Sequence, residues 1–253
     1  ILNENEYAEN MINERSLGEK PYNTLCMVSR YYIDKGYDKH EARSKLDMFM
    51  LQCDPLVSLP KWSAVMDKAF SRALKRPAVN IDHITIYKAE LDTISKLDGK
   101  PIKRLAFTLL CLSKYWDLVT SQQNHWVNTK DGEIKKMANI NTSIKRESAM
   151  YKQLRDSGLI EFSKKVDNLN VRVCFIEEDE PVLEIDDFRN LGNQYLMFTG
   201  EPYYKCQNCG VVTKLQYTGK GSRPKYCKSC AKEIAVRQRI NYVMQNRIKV
   251  QPV

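Results

Sequence analysis

The run Ser143-Ile-Lys-Arg-Glu-Ser-Ala-Met-Tyr-Lys-Gln-Leu-Arg-Asp-Ser-Gly-Leu-Ile-Glu-Phe162 changes its hydrophobic period partway along. Before the change, Ile144, Tyr151 and Leu154 recur at helical spacing, which predicts a helix from Ser143 to about Ser157 with these residues inward. Gly158 supplies a natural C-terminal stop. After it, Leu159–Val166 and Leu169–Ile176 predict two strands around an Asp167-Asn168 turn. Upstream, Lys103–Val119 predicts a long helix carrying Leu105, Leu109, Leu112, Trp116 and Val119 on one face. Trp126-Val127 follows a polar link, a short helix spans about Gly132 to Met137, and Asn139-Ile-Asn-Thr142 makes a turn with ready N-caps.

Helix, short helix, turn, helix and hairpin is the winged helix-turn-helix order, and Lys152-Gln-Leu-Arg-Asp-Ser-Gly-Leu-Ile160 leading into a hairpin resembles that family. The resemblance implies that the second helix of the turn enters the major groove while the wing touches an adjacent groove or the backbone. Lys145, Arg146, Glu147, Lys152 and Arg155 are the exposed helix residues expected there, with Lys164, Lys165, Asn168 and Arg172 on the wing. Arg and Asn are suited to base edges, and Lys to setting register on phosphate. Lys130–Arg172 carries ten basic and six acidic residues, a modest +4. Winged helices also serve as protein–protein modules, so a solvated charged face stands as the competing reading.

The eight cysteines form two groups. Cys26, Cys53, Cys111 and Cys174 are isolated in apolar surroundings and predict core packing. Cys206-Gln-Asn-Cys209 and Cys227-Lys-Ser-Cys230 are two C-x2-C pairs separated by seventeen residues. Each pair on a tight turn aims two thiolates at one point, so that the two turns complete the tetrahedron that one structural zinc ion accepts. A four-thiolate site leaves no open position for water, which argues against catalysis there. Val211–Tyr217 and Arg223–Cys227 are expected as two strands, with Gly219-Lys-Gly221 at the tip between them. From Tyr203 to Lys232 the pattern resembles a zinc ribbon, a module common in phage and transcription-associated proteins.

Towards the N-terminus, Tyr22–Ile33, Lys39 to about Leu51 behind an Asp38 cap, and Pro60–Leu74 predict three helices. Ala42, Leu46 and Phe49 face inward on the second, and Trp62, Val65, Met66, Ala69 and Phe70 are the apolar residues of the third. Asn23-x-Leu25, the Lys35-Gly-Tyr37 turn and a final apolar helix ending in basic residues resemble the helical module at the C-terminus of phage and mobile-element primases. No carboxylate constellation of a primase core accompanies it. Between the modules, Asn80–Tyr87 predicts a short strand and Lys88–Leu97 a helix.

Charge separates the last fifth of the chain from the rest. Residues 201–253 hold eleven basic and two acidic side chains, which is the whole net charge of +9, while residues 1–200 balance at 29 of each sign. Just before this basic tail, Glu177, Glu178, Asp179, Glu180, Glu184, Asp186 and Asp187 form an acidic stretch. A basic tail behind an acidic hinge points to a polyanionic partner. Lys214, Lys220, Arg223 and Lys225 in the ribbon are the expected contacts, joined by Arg237 and Arg239 on a helix from Ala231 to about Arg247 that also presents Lys232. Tyr203, Tyr204 and Tyr217 suit base stacking and protein contact equally.

Mean hydropathy is −0.51, and the densest apolar stretch, Leu105–Leu118, is broken by Lys114 and Asp117, so no membrane span is expected. Ile1-Leu-Asn-Glu-Asn-Glu6 is not a secretory signal, and Ile1 in place of Met reads as a trimmed start. The three histidines, His40, His83 and His125, are far apart, and phosphate-loop, zinc-protease, deaminase and nucleophile-elbow motifs are all missing. The expected architecture is mainly α with small β elements. It comprises a helical bundle over 20–78, a winged helix-turn-helix over 80–176, an acidic linker over 177–202 and a zinc ribbon with basic helix over 203–253. The expected function is non-catalytic nucleic-acid binding, DNA ahead of RNA, in replication or its control by a phage or mobile element in the bacterial cytoplasm. The alternative is a phage-type protein that docks on and inhibits or redirects a host or defence protein or RNA–protein complex.

Overall fold

Capping residues set the helices of the N-terminal part. In the computed structural model, which describes residues 2–164, 170–217, 219 and 222–248 and side chains up to residue 244, Asn3 opens α1 (Glu4–Glu14) by accepting from the Glu6 N–H at 2.9 Å. Pro21 starts α2 (Pro21–Asp34), and Pro60 lies in the first turn of α4 (Leu59–Ala73). Asp38 and Glu41 form a reciprocal capping box at the head of α3 (Lys39–Cys53), with the Glu41 N–H 2.8 Å from the Asp38 carboxylate. These are the three expected helices. The preceding α1 is a fourth, and its Ala8 enters a core with Leu25, Val28, Leu46, Phe49 and Met66. Val65 is exposed, because α4 buries Met66, Ala69, Phe70 and Ala73 instead.

This first unit extends over Ile1–Ile84 rather than 20–78. Its two ends are tied by Glu4, which is buried and accepts from Arg30 and Arg76 at 2.8 Å and from the Val79 N–H at 3.2 Å. A carboxylate taken out of water needs such partners, and removing it would leave Arg30 buried without its countercharge.

The second unit, Thr85–Val253, is built around one long apolar helix. In chain order come β1 (Ile84–Tyr87), α5 (Lys88–Ser95), α6 (Lys100–Thr120), β2 (Trp126–Val127), α7 (Asp131–Met137), α8 (Ile144–Asp156), β3 (Ile160–Phe162) and β4 (Val171–Val173). Then follow β5 (Pro181–Ile185), α9 (Leu191–Phe198), β6 (Tyr203–Lys205), β7 (Val212–Lys214) and α10 (Lys228–Ile248). Leu105, Leu109, Leu110 and Leu112 of α6 are all at most 2% exposed. The strands make three small sheets in the orders β1-β5, β2-β4-β3 and β6-β7, the last two antiparallel. In the middle sheet Val171 stands opposite both Val127 and Phe162, so alternation along β4 turns Val171 and Val173 inward.

Several expectations change here. The hairpin strands are shorter than 159–166 and 169–176, and the Asp167-Asn168 turn lies outside the described residues. Ile144 is 81% exposed, because the buried stripe of α8 runs Glu147, Met150, Leu154 and none of the described residues covers its first turn. Cys174 is exposed, one residue beyond the inward Val173, and Cys53 is only half-buried, whereas Cys26 and Cys111 are core. The stretch 177–202 is not a linker. It contains β5 and the helix α9, whose Leu191, Gly192, Asn193, Gln194, Tyr195 and Leu196 are buried. Tyr195 packs on Phe107 of α6, ring centroids 5.3 Å apart. Among the described residues no helix is long and apolar enough to cross a membrane.

Candidate metal centre and basic helix

Cys206 and Cys209 occupy the loop of the β6–β7 hairpin, while Cys227 precedes α10 and Cys230 lies in its first turn. The hairpin therefore forms from strands on either side of the first cysteine pair. The expected strand Arg223–Cys227 is absent, because the chain passes from there into a helix. Gly210 turns the first knuckle back with φ +74° and donates its N–H to Cys206 O at 2.9 Å.

The four sulfurs all lie within 4.8 Å of one another, and Cys209 Sγ is 3.8 Å from Cys227 Sγ. Bonds of about 2.3 Å to a central zinc would set tetrahedral edges of about 3.8 Å, so the donor set fits a thiolate-bound metal ion. Nitrogen donors already surround the sulfurs. Cys227 N–H points to Cys206 Sγ at 3.2 Å, Cys230 N–H to Cys227 Sγ at 3.5 Å, and Asn208 Nδ2 to Cys230 Sγ at 3.3 Å. Burial opposes ionisation of Cys206, but the backbone amides of Cys227, Cys209 and Asn208 outweigh it and bring the thiol down to about 6. Burial, with the neighbouring thiols, pushes Cys209 up to about 12. The amide donors around Cys206 thus favour its thiolate, the form that binds a metal ion.

This centre is attached to α9. Arg189, paired with Asp187 at 2.6 Å, donates to Cys209 O at 2.5 Å, and Asn193 Nδ2 donates to Val212 O at 3.0 Å. Neither residue was expected from sequence. The apolar spacing of Leu191, Tyr195 and Leu196 was the available signal, hidden by the acidic residues before it.

The second candidate region is α8 with β3 and β4. Ser143 caps α8, accepting from Arg146 N–H at 3.4 Å, and Gly158 ends it with φ +72°. Lys145, Arg146, Lys152 and Arg155 are exposed along the helix, and Lys164 is exposed after β3. Arg155 pairs with Asp156 at 2.8 Å, and the half-buried Arg172 pairs with Glu161 at 3.4 Å. The side chains of Lys145, Arg146 and Lys152 have no such partner among the described residues. Glu147, expected outside, is buried and held by Lys135 at 2.5 Å. Beside the helix lies a groove of about 630 Å³, with Val127, Ile134, Tyr151, Phe162 and Val171 in its wall and Ile144 at its lip.

The remaining expected contacts sit with the cysteines. Lys214, Arg223, Lys225, Arg237 and Arg239 are exposed, with Arg223 5.8 Å from the Tyr217 ring centroid. Lys165, Asn168 and Lys220 lie outside the described residues, as does the side chain of Arg247. The two basic groups thus belong to different elements, one to α8 and its hairpin, the other to the cysteine hairpin and α10. No protein-family model, curated protein or solved structure matches this chain.

Proposed function

We propose that the protein is a non-catalytic nucleic-acid-binding protein, with duplex DNA as the preferred ligand and one structural zinc ion held by Cys206, Cys209, Cys227 and Cys230. The observation that carries the reading is the set of exposed cations Lys145, Arg146 and Lys152 on α8, without an ion-pair partner among the described residues, on a helix that follows α7 and a turn and lies beside the β2-β4-β3 sheet. In the winged-helix reading α8 is the recognition helix, and β3 and β4 form the wing. Lys145 and Lys152 are seven residues apart, two helical turns on one side, with the small exposed Ser148 and Ala149 between them. Small side chains there let the helix axis approach a groove while the cations reach phosphates. The cysteine hairpin, read as a zinc-ribbon variant whose second knuckle opens α10, would add backbone contacts through Lys214, Arg223, Lys225, Arg237 and Arg239.

On the same reading the protein works in replication or its control for a phage or mobile element, in the reducing cytoplasm of a bacterial host. The test is binding of the zinc-loaded chain to labelled duplex DNA, single-stranded DNA and RNA across salt concentrations. Replacing Lys145, Arg146 and Lys152 with Ala should lower duplex affinity and flatten the slope of log affinity against log salt by about 2.7, at about 0.9 for each phosphate that is no longer neutralised. Unchanged affinity and slope would overturn the assignment of α8.

A second reading is docking on a host or defence protein complex. It is favoured by exposed apolar residues on α10, where Val236, Ile240, Val243 and Met244 are 43–58% exposed. Negligible binding to all three nucleic acids near physiological salt would select this reading.

A further inference from the structure

The carboxamide of Asn193 is engaged at both ends. The residue is 3% exposed, its Nδ2 donates to Val212 O at 3.0 Å, and its Oδ1 accepts from Asn139 Nδ2 at 2.9 Å. Val212 opens β7 opposite Lys205, the residue before Cys206, and Cys206 N–H donates to Val211 O at 3.0 Å. One end of Asn193 thus holds the hairpin that carries two of the four cysteines.

The other end holds the turn that delivers α8. Asn139 lies between α7 and α8 in the left-handed region, φ +51°, a conformation that Asn tolerates better than other side-chain-bearing residues. Contact between α9 and this turn is close, since a Cβ on Gly192 would stand 2.1 Å from Ala138 O.

We propose that Asn193 and Asn139 are positioning residues that couple metal loading of the four-cysteine centre to the setting of the α7–α8 turn. The inference rests on the metal reading of the cysteines. Loading fixes the hairpin, the fixed hairpin presents Val212 O to Asn193, and Asn193 holds Asn139 and the start of α8. Linkage is reciprocal, so loosening the turn must weaken metal binding by the same factor that metal binding steadies the turn. Loss of one internal hydrogen bond sets the scale at about fivefold in affinity.

The experiment measures Zn²⁺ affinity of the full chain by competition with a chromophoric chelator. It compares the wild type with Asn139→Gly, Asn193→Ala and the control Ile160→Val. Glycine keeps the positive φ at position 139 and removes only the side chain. Ile160→Val trims a buried residue of β3 away from the relay, at a comparable general cost in stability. Expected are one bound zinc throughout, an affinity about fivefold weaker in Asn139→Gly and at least as weak in Asn193→Ala, and no change in Ile160→Val. Hydrogen exchange should show zinc protecting amides 138–147 in the wild type and protecting them less in Asn139→Gly. Zinc uptake with equal affinity in all four proteins overturns the coupling alone, as does a control as weak as Asn139→Gly. No zinc uptake by the wild type overturns the metal reading and the coupling with it.

Discussion

Gly192 and Gly132 should respond to the same substitution with opposite signs. Gly192 has no positive φ, so a side chain there is limited by space rather than by backbone conformation. A Cβ would stand 2.1 Å from Ala138 O, 2.8 Å from Ala138 C and 3.0 Å from Arg104 Cβ. The first two atoms are main chain and have no rotamer by which to retreat, so α9 must withdraw by about 1 Å to restore ordinary contact. Overpacking of this kind costs about 1–3 kcal/mol, and a rigid neighbour puts Gly192→Ala near 3 kcal/mol. For a unit of this size that lowers the melting temperature by roughly 6–12 °C. Gly132 lies in α7 with nothing within 4 Å of an added Cβ. Gly132→Ala should therefore stabilise by about 0.4–1 kcal/mol through reduced unfolded-chain freedom and better helix propensity. Calorimetric melting of the full zinc-loaded chain distinguishes the two. A Gly192→Ala transition within about 2 °C of wild type, or shifts of the same sign, would refute the packing of α9 against the end of α7.

The first unit should carry its own acid sensitivity. Burial alone would raise the Glu4 carboxyl, but Arg76, Arg30 and the Val79 N–H outweigh it and hold its pKa below the usual 4.5. A carboxyl lowered on folding stabilises fully above its unfolded pKa, and that contribution is lost as pH falls through the folded value. Melting temperature of the first unit should accordingly drop below about pH 4.5, and Glu4→Gln should flatten that drop while costing about 3 kcal/mol at neutral pH. An acid limb of the same steepness in Glu4→Gln would count against this. Asp38→Ala, which removes the capping box, should destabilise the first unit by about 1 kcal/mol, whereas Asp38→Asn should recover most of it, both read from denaturant midpoints.

Local signals were legible where the physics is local. Ser143 and Gly158 bound α8, Asp38 opens α3, and two C-x2-C pairs mark the candidate metal ligands, because caps and chelating turns are decided within a few residues. What depends on distant partners was not. Periodicity shows that Ile144 can face inward, but not that the first turn of α8 lacks a cover among the described residues. Glu147 looks like a surface charge until Lys135, twelve residues earlier, is placed beside it. The acidic residues from Glu177 onward suggest a solvated hinge, and only burial of Leu191 and Tyr195 reveals the helix behind them. Likewise, a strand within Val211–Tyr217 is visible in sequence, but its partner is the Tyr203–Lys205 segment before the knuckle, because the chain after Arg223 runs on into α10.

The placement of α9 also bears on how this chain can change over generations. Cysteine hairpins that are joined to their neighbours by free linkers can be exchanged by recombination as self-contained cassettes. Here Gly192 and Asn193 fit one particular turn and one particular hairpin, so a donor hairpin from elsewhere would meet a helix shaped for its predecessor. Divergence in the second unit should therefore proceed by coordinated substitution at positions 138, 139, 192, 193 and 212 rather than by swapping the C-terminal segment whole.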